Sequence, residues 1–263
     1  MTLSIQQAVD RIKSRFEATV GPDTVDTIKS GNPSQPLRGI AVTFMATRQV
    51  LDQTVAKGAN LLITHEPTFY NHKDDEDWLR NDPVCESKRK FIDQHGIAVW
   101  RVHDYPHVHR PDMIVAGMVR ELGWQDRFDP DLPNTFRLSP LTLHDLAQYC
   151  KDRLRIKTVR YVGDPEMPCS RVALRVGAPG GRAQIDILNN KGVDVVISGE
   201  SHEWETCEYV RDAAAAGEKK ALLLLGHANS EEAGMRWLAE WIETFMPEIP
   251  VTYLPAGDPF RFV

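Results

Sequence analysis

Two kinds of hydrophobic pattern alternate along the 263 residues of the chain. Short runs rich in β-branched residues or leucine recur at "GIAVTF" from 39, "NLLITH" from 60, "GIAVWRV" from 96, "RVALRV" from 171, "VDVVIS" from 193, "ALLLLG" from 221 and "VTYL" from 251. Each is short and nearly continuously apolar, which predicts strands buried on both faces. Between them, apolar residues recur at helical spacing near 3–19, 47–57, 82–95, 110–122, 142–154, 202–216 and 229–246. Strands alternating with helices predict an α/β fold with largely parallel or mixed sheets covered by helices.

Two stretches break the pattern. Residues 21–39, "GPDTVDTIKSGNPSQPLRG", are rich in Gly, Pro, Ser and Asp and predict a long surface loop. Residues 126–136, "DRFDPDLPNTF", carry two prolines and separate one strand and helix set from another. The expected organisation is a single domain over 1–263 with lobes at 1–125 and 137–263. No short repeat and no low-complexity tail interrupts it.

Composition narrows the function classes. The chain is 42% hydrophobic and 26% charged, and no apolar run approaches the roughly 20 residues needed to span a bilayer. The first twenty residues lack the continuous apolar segment of a secretion signal, so a cytoplasmic location is expected. A net charge of -6 provides no global field for a polyanion, and nucleic acid is not expected as a main partner. The basic run "ESKRKF" falls in a predicted helix and reads as a solvated face. Cys85, Cys150, Cys169 and Cys207 form no CxxC pair and are expected as free thiols.

The chemistry gathers where strands end. "NLLIT" runs into His65 and Glu66; "IAVWRV" into His103 and Asp104, with His107 and His109 beyond; "VDVVISG" into Glu200, with His202 and Glu203; and "LLLLG" into His227, with Glu231 and Glu232. Imidazole and carboxylate are costly to dehydrate unless something binds them. In open α/β sheets the carboxyl ends of parallel strands share one edge, where ligands bind. Seven of nine histidines fall in or just after these ends, with only His95 and His144 elsewhere. A shared metal site accounts for that clustering, since these ligands suit Zn, Fe, Mn or Co. In "GHANSEE", Asn229 reads as a helix N-cap and Glu232 as its capping-box partner, leaving Glu231 for the metal.

Taken together, "ITHEP", "VHDYPH", "SGESH" and "GHANSE" resemble, in order and spacing, the motifs of the NGG-interacting factor 3-like family, also described as GTP cyclohydrolase 1 type 2. The likeness runs over roughly residues 38–245. It implies two similar α/β lobes with a dinuclear metal cleft between them, and a homo-oligomer built as a hexameric ring. Carried over by position, it implies metal ligands at His65, Glu66, His107, His227 and Glu231. The chain departs from the family pattern at two of these: Glu66 stands where the family has a second histidine, and His107 where it has an aspartate. Asp104 is the alternative ligand in the 103–107 loop. The family's "WDN" signature is absent, and Met45 replaces the aspartate usual in the first strand.

Other features weigh less. "VGAPGGRAQID", 176–186, has the glycines of a tight turn before a helix but lacks the Lys and Ser/Thr of a phosphate-binding P-loop. No GxSxG supports acyl chemistry. The tryptophans read as core, with Trp204 beside the predicted cleft as the one that could stack on a planar ligand. Two functions are carried forward. One is a hydrolase using two divalent metal ions on a small-molecule substrate such as a nucleotide, with His103 and Glu200 orienting ligands or moving protons. The other is a non-catalytic metal-binding or regulatory protein.

Overall fold

A computed structural model describes residues 3–190 and 192–263. In chain order the strands are β1 (Ile28–Ser30), β2 (Ile40–Thr43), β3 (Leu61–Thr64), β4 (Ala98–Arg101) and β5 (Thr135–Thr142). They continue with β6 (Arg160–Val162), β7 (Pro168–Arg175), β8 (Val195–Ser198), β9 (Ala221–Leu224) and β10 (Val251–Tyr253). They build two five-stranded sheets, one ordered β1-β4-β3-β2-β10 and the other β5-β7-β8-β9-β6. The chain divides into two compact units, one running to Ile114 and including Gly234–Ala256, the other comprising Val115–Ala233 and Gly257–Val263.

In the first unit β10, β2, β3 and β4 are parallel, and β1 closes the edge antiparallel to β4. Every residue of β2, β3 and β4 is buried, as strands covered on both faces require. The covering helices include Ile5–Lys13, Arg48–Ala56 and Pro83–Gln94. The first is set by a capping box, Ser4 with Gln7, and buries Ile5, Ala8, Val9 and Ile12 on one stripe. Register places Thr43 beside Thr64 and Thr64 beside Arg101, so the residues after these strands leave from one edge.

The second unit repeats the plan. β7, β8 and β9 are parallel at the centre, flanked by antiparallel β5 and β6. Arg175, Ser198 and Leu224 are in register, so Gly177, Glu200 and His227 follow from a common edge. One side of this sheet packs Val172, Leu174, Val195, Ile197 and Leu223 with Leu143, Leu146 and Cys150 of the helix Leu143–Leu154. Ala173, Val196, Leu222 and Leu224 pack on the other with Ile187, Leu188 and Val210.

All seven apolar runs form strands. β1 lies within residues 21–39, where a loop is expected, and the 202–216 helix is an irregular turn, Glu203–Cys207, leading into Glu208–Ala215. The last helix starts at His227, two residues before the expected cap. Gly226, at φ +92, turns the chain early, and Asn229 Nδ2 donates instead to the Leu225 carbonyl at 2.8 Å. Gly234 in this helix is a packing requirement, because a Cβ there would lie 2.5 Å from Ile114 Cα. The four cysteines are free. Among the described residues no helix is long and apolar enough to cross a membrane.

Candidate metal centre

In the first unit the ends of β3 and β4 bring three imidazoles together. Nitrogens of His65, His103 and His107 lie within 4.8 Å of one another. The His65 ring stacks on His103 with centroids 4.7 Å apart, and His107 meets both edge-on, at 5.1 and 5.0 Å. His65 is fully buried, a position an unliganded imidazole rarely occupies without a defined role. Its Nδ1 lies 3.1 Å from the Val102 carbonyl. A carbonyl only accepts, so that contact puts the ring proton on Nδ1 and the lone pair on Nε2.

His103 precedes, and His107 lies on, a five-residue helix, Asp104–Val108, which is too short to hold itself. The Asp26 carboxylate holds it from outside, accepting the backbone N–H groups of His103 at 2.7 Å, Asp104 at 2.9 Å and Tyr105 at 2.8 Å. Burial raises the Asp26 carboxyl pKa against the lowering effect of those three donors. Asp104 Oδ1 lies 2.9 Å from His103 Nδ1, and its Oδ2 accepts from the Thr24 hydroxyl at 2.7 Å. Against the opposing effect of burial, these two bonds hold its carboxyl below the usual range. Asp104 therefore orients His103, while His107 joins the imidazole group. His107 Nδ1 in turn lies 3.0 Å from Asp112 Oδ2.

Glu66 is 9% exposed and faces the fully buried Arg101, whose Nη2 lies 3.5 Å from Glu66 Oε2. Arg101 also donates through Nε to the His65 carbonyl at 3.0 Å and through Nη1 to that of His72. One guanidinium thus ties the backbone of the strand end to the carboxylate beside it.

The second unit gathers the other candidates at its own strand edge. His227 opens its helix, with Nε2 3.2 Å from Glu231 Oε2 one turn on and Nδ1 3.0 Å from Glu200 Oε1. Ser230 fixes the local backbone: its hydroxyl donates to the His227 carbonyl at 2.8 Å and accepts the Gly177 N–H at 2.8 Å. A Cβ at Gly177 would lie 2.2 Å from Glu231 Oε1 and displace that carboxylate, and the φ of +67 favours glycine. Three motifs, "VGAPGG", "SGESH" and "GHANSE", meet here through Gly177, Glu200 and His227.

Several residues of the site escape a reading of the sequence alone. Asp26 and Asp112 act through tertiary bonds that spacing does not show, whereas Gly177 and Ser230 sit inside motifs already singled out. Glu232 accepts from the Gly257 N–H at 2.8 Å rather than completing a capping box. The Gly181 N–H at the glycine-rich turn donates to Glu205 Oε2 at 3.1 Å, so the chain's own carboxylate occupies that helix start. Trp204 is 73% exposed and stacks on His202 at 5.5 Å. Lys88, in the basic run expected to be solvated, is 7% exposed.

A family model described as Duf34/NIF3 (NGG1p interacting factor 3) matches residues 24–257. The chain is similar to a protein of Chlamydia pneumoniae named GTP cyclohydrolase 1 type 2 homolog, 24% identical over 260 residues that cover 95% of each chain. A protein of the same name from Escherichia coli K12 is 24% identical over 227 residues, 86% of this chain and 87% of that one. Among solved structures, a Bacillus cereus protein related to NIF3 superposes with a TM-score of 0.79 at 15% identity, over 100% of this chain and 99% of that one. A hypothetical protein of Staphylococcus aureus gives 0.78 at 15% identity over 100% of both. At such identity these structures establish the fold.

Proposed function

Because the chain belongs to the Duf34/NIF3 family, we propose that it is a metal-dependent hydrolase with a dinuclear centre, acting on a nucleotide or a related small molecule. His65, Glu66 and His107 from the first unit, and His227 and Glu231 from the second, are the ligands the resemblance implies. Asp104 in this reading orients His103 and does not bind metal.

One observation carries the proposal. His65, His103, His107 and His227 each have Nδ1 about 3 Å from an oxygen, of Val102, Asp104, Asp112 and Glu200 respectively. In the neutral ring the oxygens at His65, His103 and His107 fix the tautomer that leaves the lone pair on Nε2, which is how metal-binding imidazoles are held, and at His227 a carboxylate faces each nitrogen, Glu200 at Nδ1 and Glu231 at Nε2. The donor set of imidazoles and carboxylates fits Zn, Fe, Mn or Co.

Two such ions would supply Lewis-acid activation of a water and of a carbonyl, amidine or phosphoryl oxygen. The chain's own groups would do the rest. Glu200, with its side chain 56% exposed and bonded to His227, would take up a proton, and His103 would move one within the imidazole group. The relatives' name makes ring opening of GTP the first reaction to test. The resemblance further implies a hexameric homo-oligomer, which light scattering on the eluted protein checks.

The deciding experiment measures metal content and then turnover of GTP, other nucleotides and phosphodiesters with Mn, Zn and Fe. Two ions per chain and a turnover lost in His227→Ala are expected. Full metal content without any turnover would favour the non-catalytic binder, and failure to retain metal from excess ion would remove both readings.

A further inference from the structure

The first unit has a concave feature lined by none of the residues named as metal ligands. A cavity of about 500 Å³ is bounded by Met45, Thr47, Arg48, Tyr70, Val84 and Lys88, among others. That volume is in the range of small-molecule sites. Lys88 is the unusual member. Although 7% exposed, its ammonium has one hydrogen bond, to the Thr68 carbonyl at 2.5 Å, out of the three it can donate. Among the described residues no carboxylate forms an ion pair with it. Asp74, whose charge acts on Lys88, pairs instead with Lys29 and Arg101, each at 3.7 Å.

The surroundings favour an anion at the same place. The helix Arg48–Ala56 starts at the cavity behind its cap Thr47, and Pro83–Gln94 starts there behind Asp82. The amino end of the first adds positive potential, whereas that of the second is closed by the Asp82 carboxylate, which accepts the Val84 and Cys85 N–H groups at 3.0 and 2.8 Å. Arg48 brings a guanidinium held against the Phe91 ring at 3.9 Å, its Nε paired with Asp52 at 3.3 Å and its Nη groups left to donate. The rest of the wall is apolar: Met45, Val84 and the Tyr70 ring, which lies 4.9 Å from Lys88 Nζ. Tyr70 stands in the left-handed backbone region, φ +65, a conformation a bulky residue holds only when its surroundings fix it.

We propose that this cavity binds a small organic anion, a phosphate monoester or a carboxylate on a flat apolar body, with Lys88 on the anion and Tyr70 and Val84 against the body. A buried ammonium with no carboxylate in direct contact is costly, and a ligand anion supplies that contact through charge-assisted hydrogen bonds. The site is independent of the metal reading and stands or falls separately from it.

Phenyl phosphate is the probe, titrated into the full chain labelled with ¹³C-methyl methionine. The Met45 methyl signal, assigned through Met45→Leu, reports occupancy. The expected result is a saturable shift, with phenol and inorganic phosphate each at least tenfold weaker. Lys88→Met should weaken binding tenfold or more, and Arg48→Gln several-fold, with melting curves confirming that both variants fold. If Lys88→Met does not fold, Arg48→Gln and the comparison with phenol decide. Benzoate against phenyl phosphate identifies the preferred anion. The proposal is overturned if Met45 shows no saturable shift, if the folded variants bind like wild type, or if a chelator abolishes the shift and so traces it to metal.

Discussion

Burial pushes the Lys88 ammonium down from 10.5 to about 8. The folded chain therefore gives up this proton more readily than the unfolded chain. The resulting penalty is present in full below pH 8 and fades as pH rises to 10.5, where the unfolded lysine also deprotonates. Lys88→Met carries no such term, so wild type should gain on it by up to about 3 kcal/mol across that window. Urea midpoints of both proteins below pH 8 and near pH 10.5 test this, and parallel pH profiles would refute it. The sequence conceals the burial because "ESKRKF" has the composition of a wet helix face. The ligand candidates are easier to read: His65, His107, His227 and Glu231 stand directly after apolar runs or in a motif. Asp26, in a stretch that reads as loop, gives no local sign that it caps a helix nearly eighty residues on.

At the level of elements, five of the seven strands that show in the sequence, β2, β3, β4, β8 and β9, are wholly buried, β7 is buried over Val172–Leu174, and β10 shows although half-buried. The antiparallel edges are harder to see. β1 is half-buried throughout, β6 is partly exposed, and β5 mixes buried and exposed residues around a register shift. An edge has one neighbour and can stay polar, so its pattern weakens. The helix Asp104–Val108 is hidden for another reason, its stability coming from Asp26. Asp26→Ala leaves three half-buried N–H groups without their acceptor and should cost about 1–3 kcal/mol. Asp26→Asn, which keeps one acceptor oxygen, should cost less. Urea unfolding with amide exchange at His103, Asp104 and Tyr105 measures both effects, and unchanged protection in Asp26→Ala would show that the helix stands without its cap.

On the scale of the whole molecule, each unit builds a related device: three parallel strands inside, with ligand candidates at the carboxyl edge; the outer strands are both antiparallel in the second unit, whereas in the first β1 is antiparallel and β10 parallel. Metal that binds the folded chain and not the unfolded one stabilises it by mass action. At a free ion concentration a hundredfold above Kd the gain is about 2.7 kcal/mol, or roughly 5–10 °C in melting temperature for a chain of this size. A chelator should lower the melting temperature of wild type by that amount and that of His227→Ala by much less; identical melting with and without chelator would contradict metal binding. The first sheet has one more property. Its strand β10 comes from Gly234–Ala256, after the long segment Val115–Ala233 of the second unit. On the ribosome, the outer side of β2 must wait for its neighbour while Val115–Ala233 is still being made, open to pairing with any other nascent chain. Messages cut short in that interval would yield aggregating fragments, whereas losing only the residues beyond Ala256 would leave this strand pairing intact.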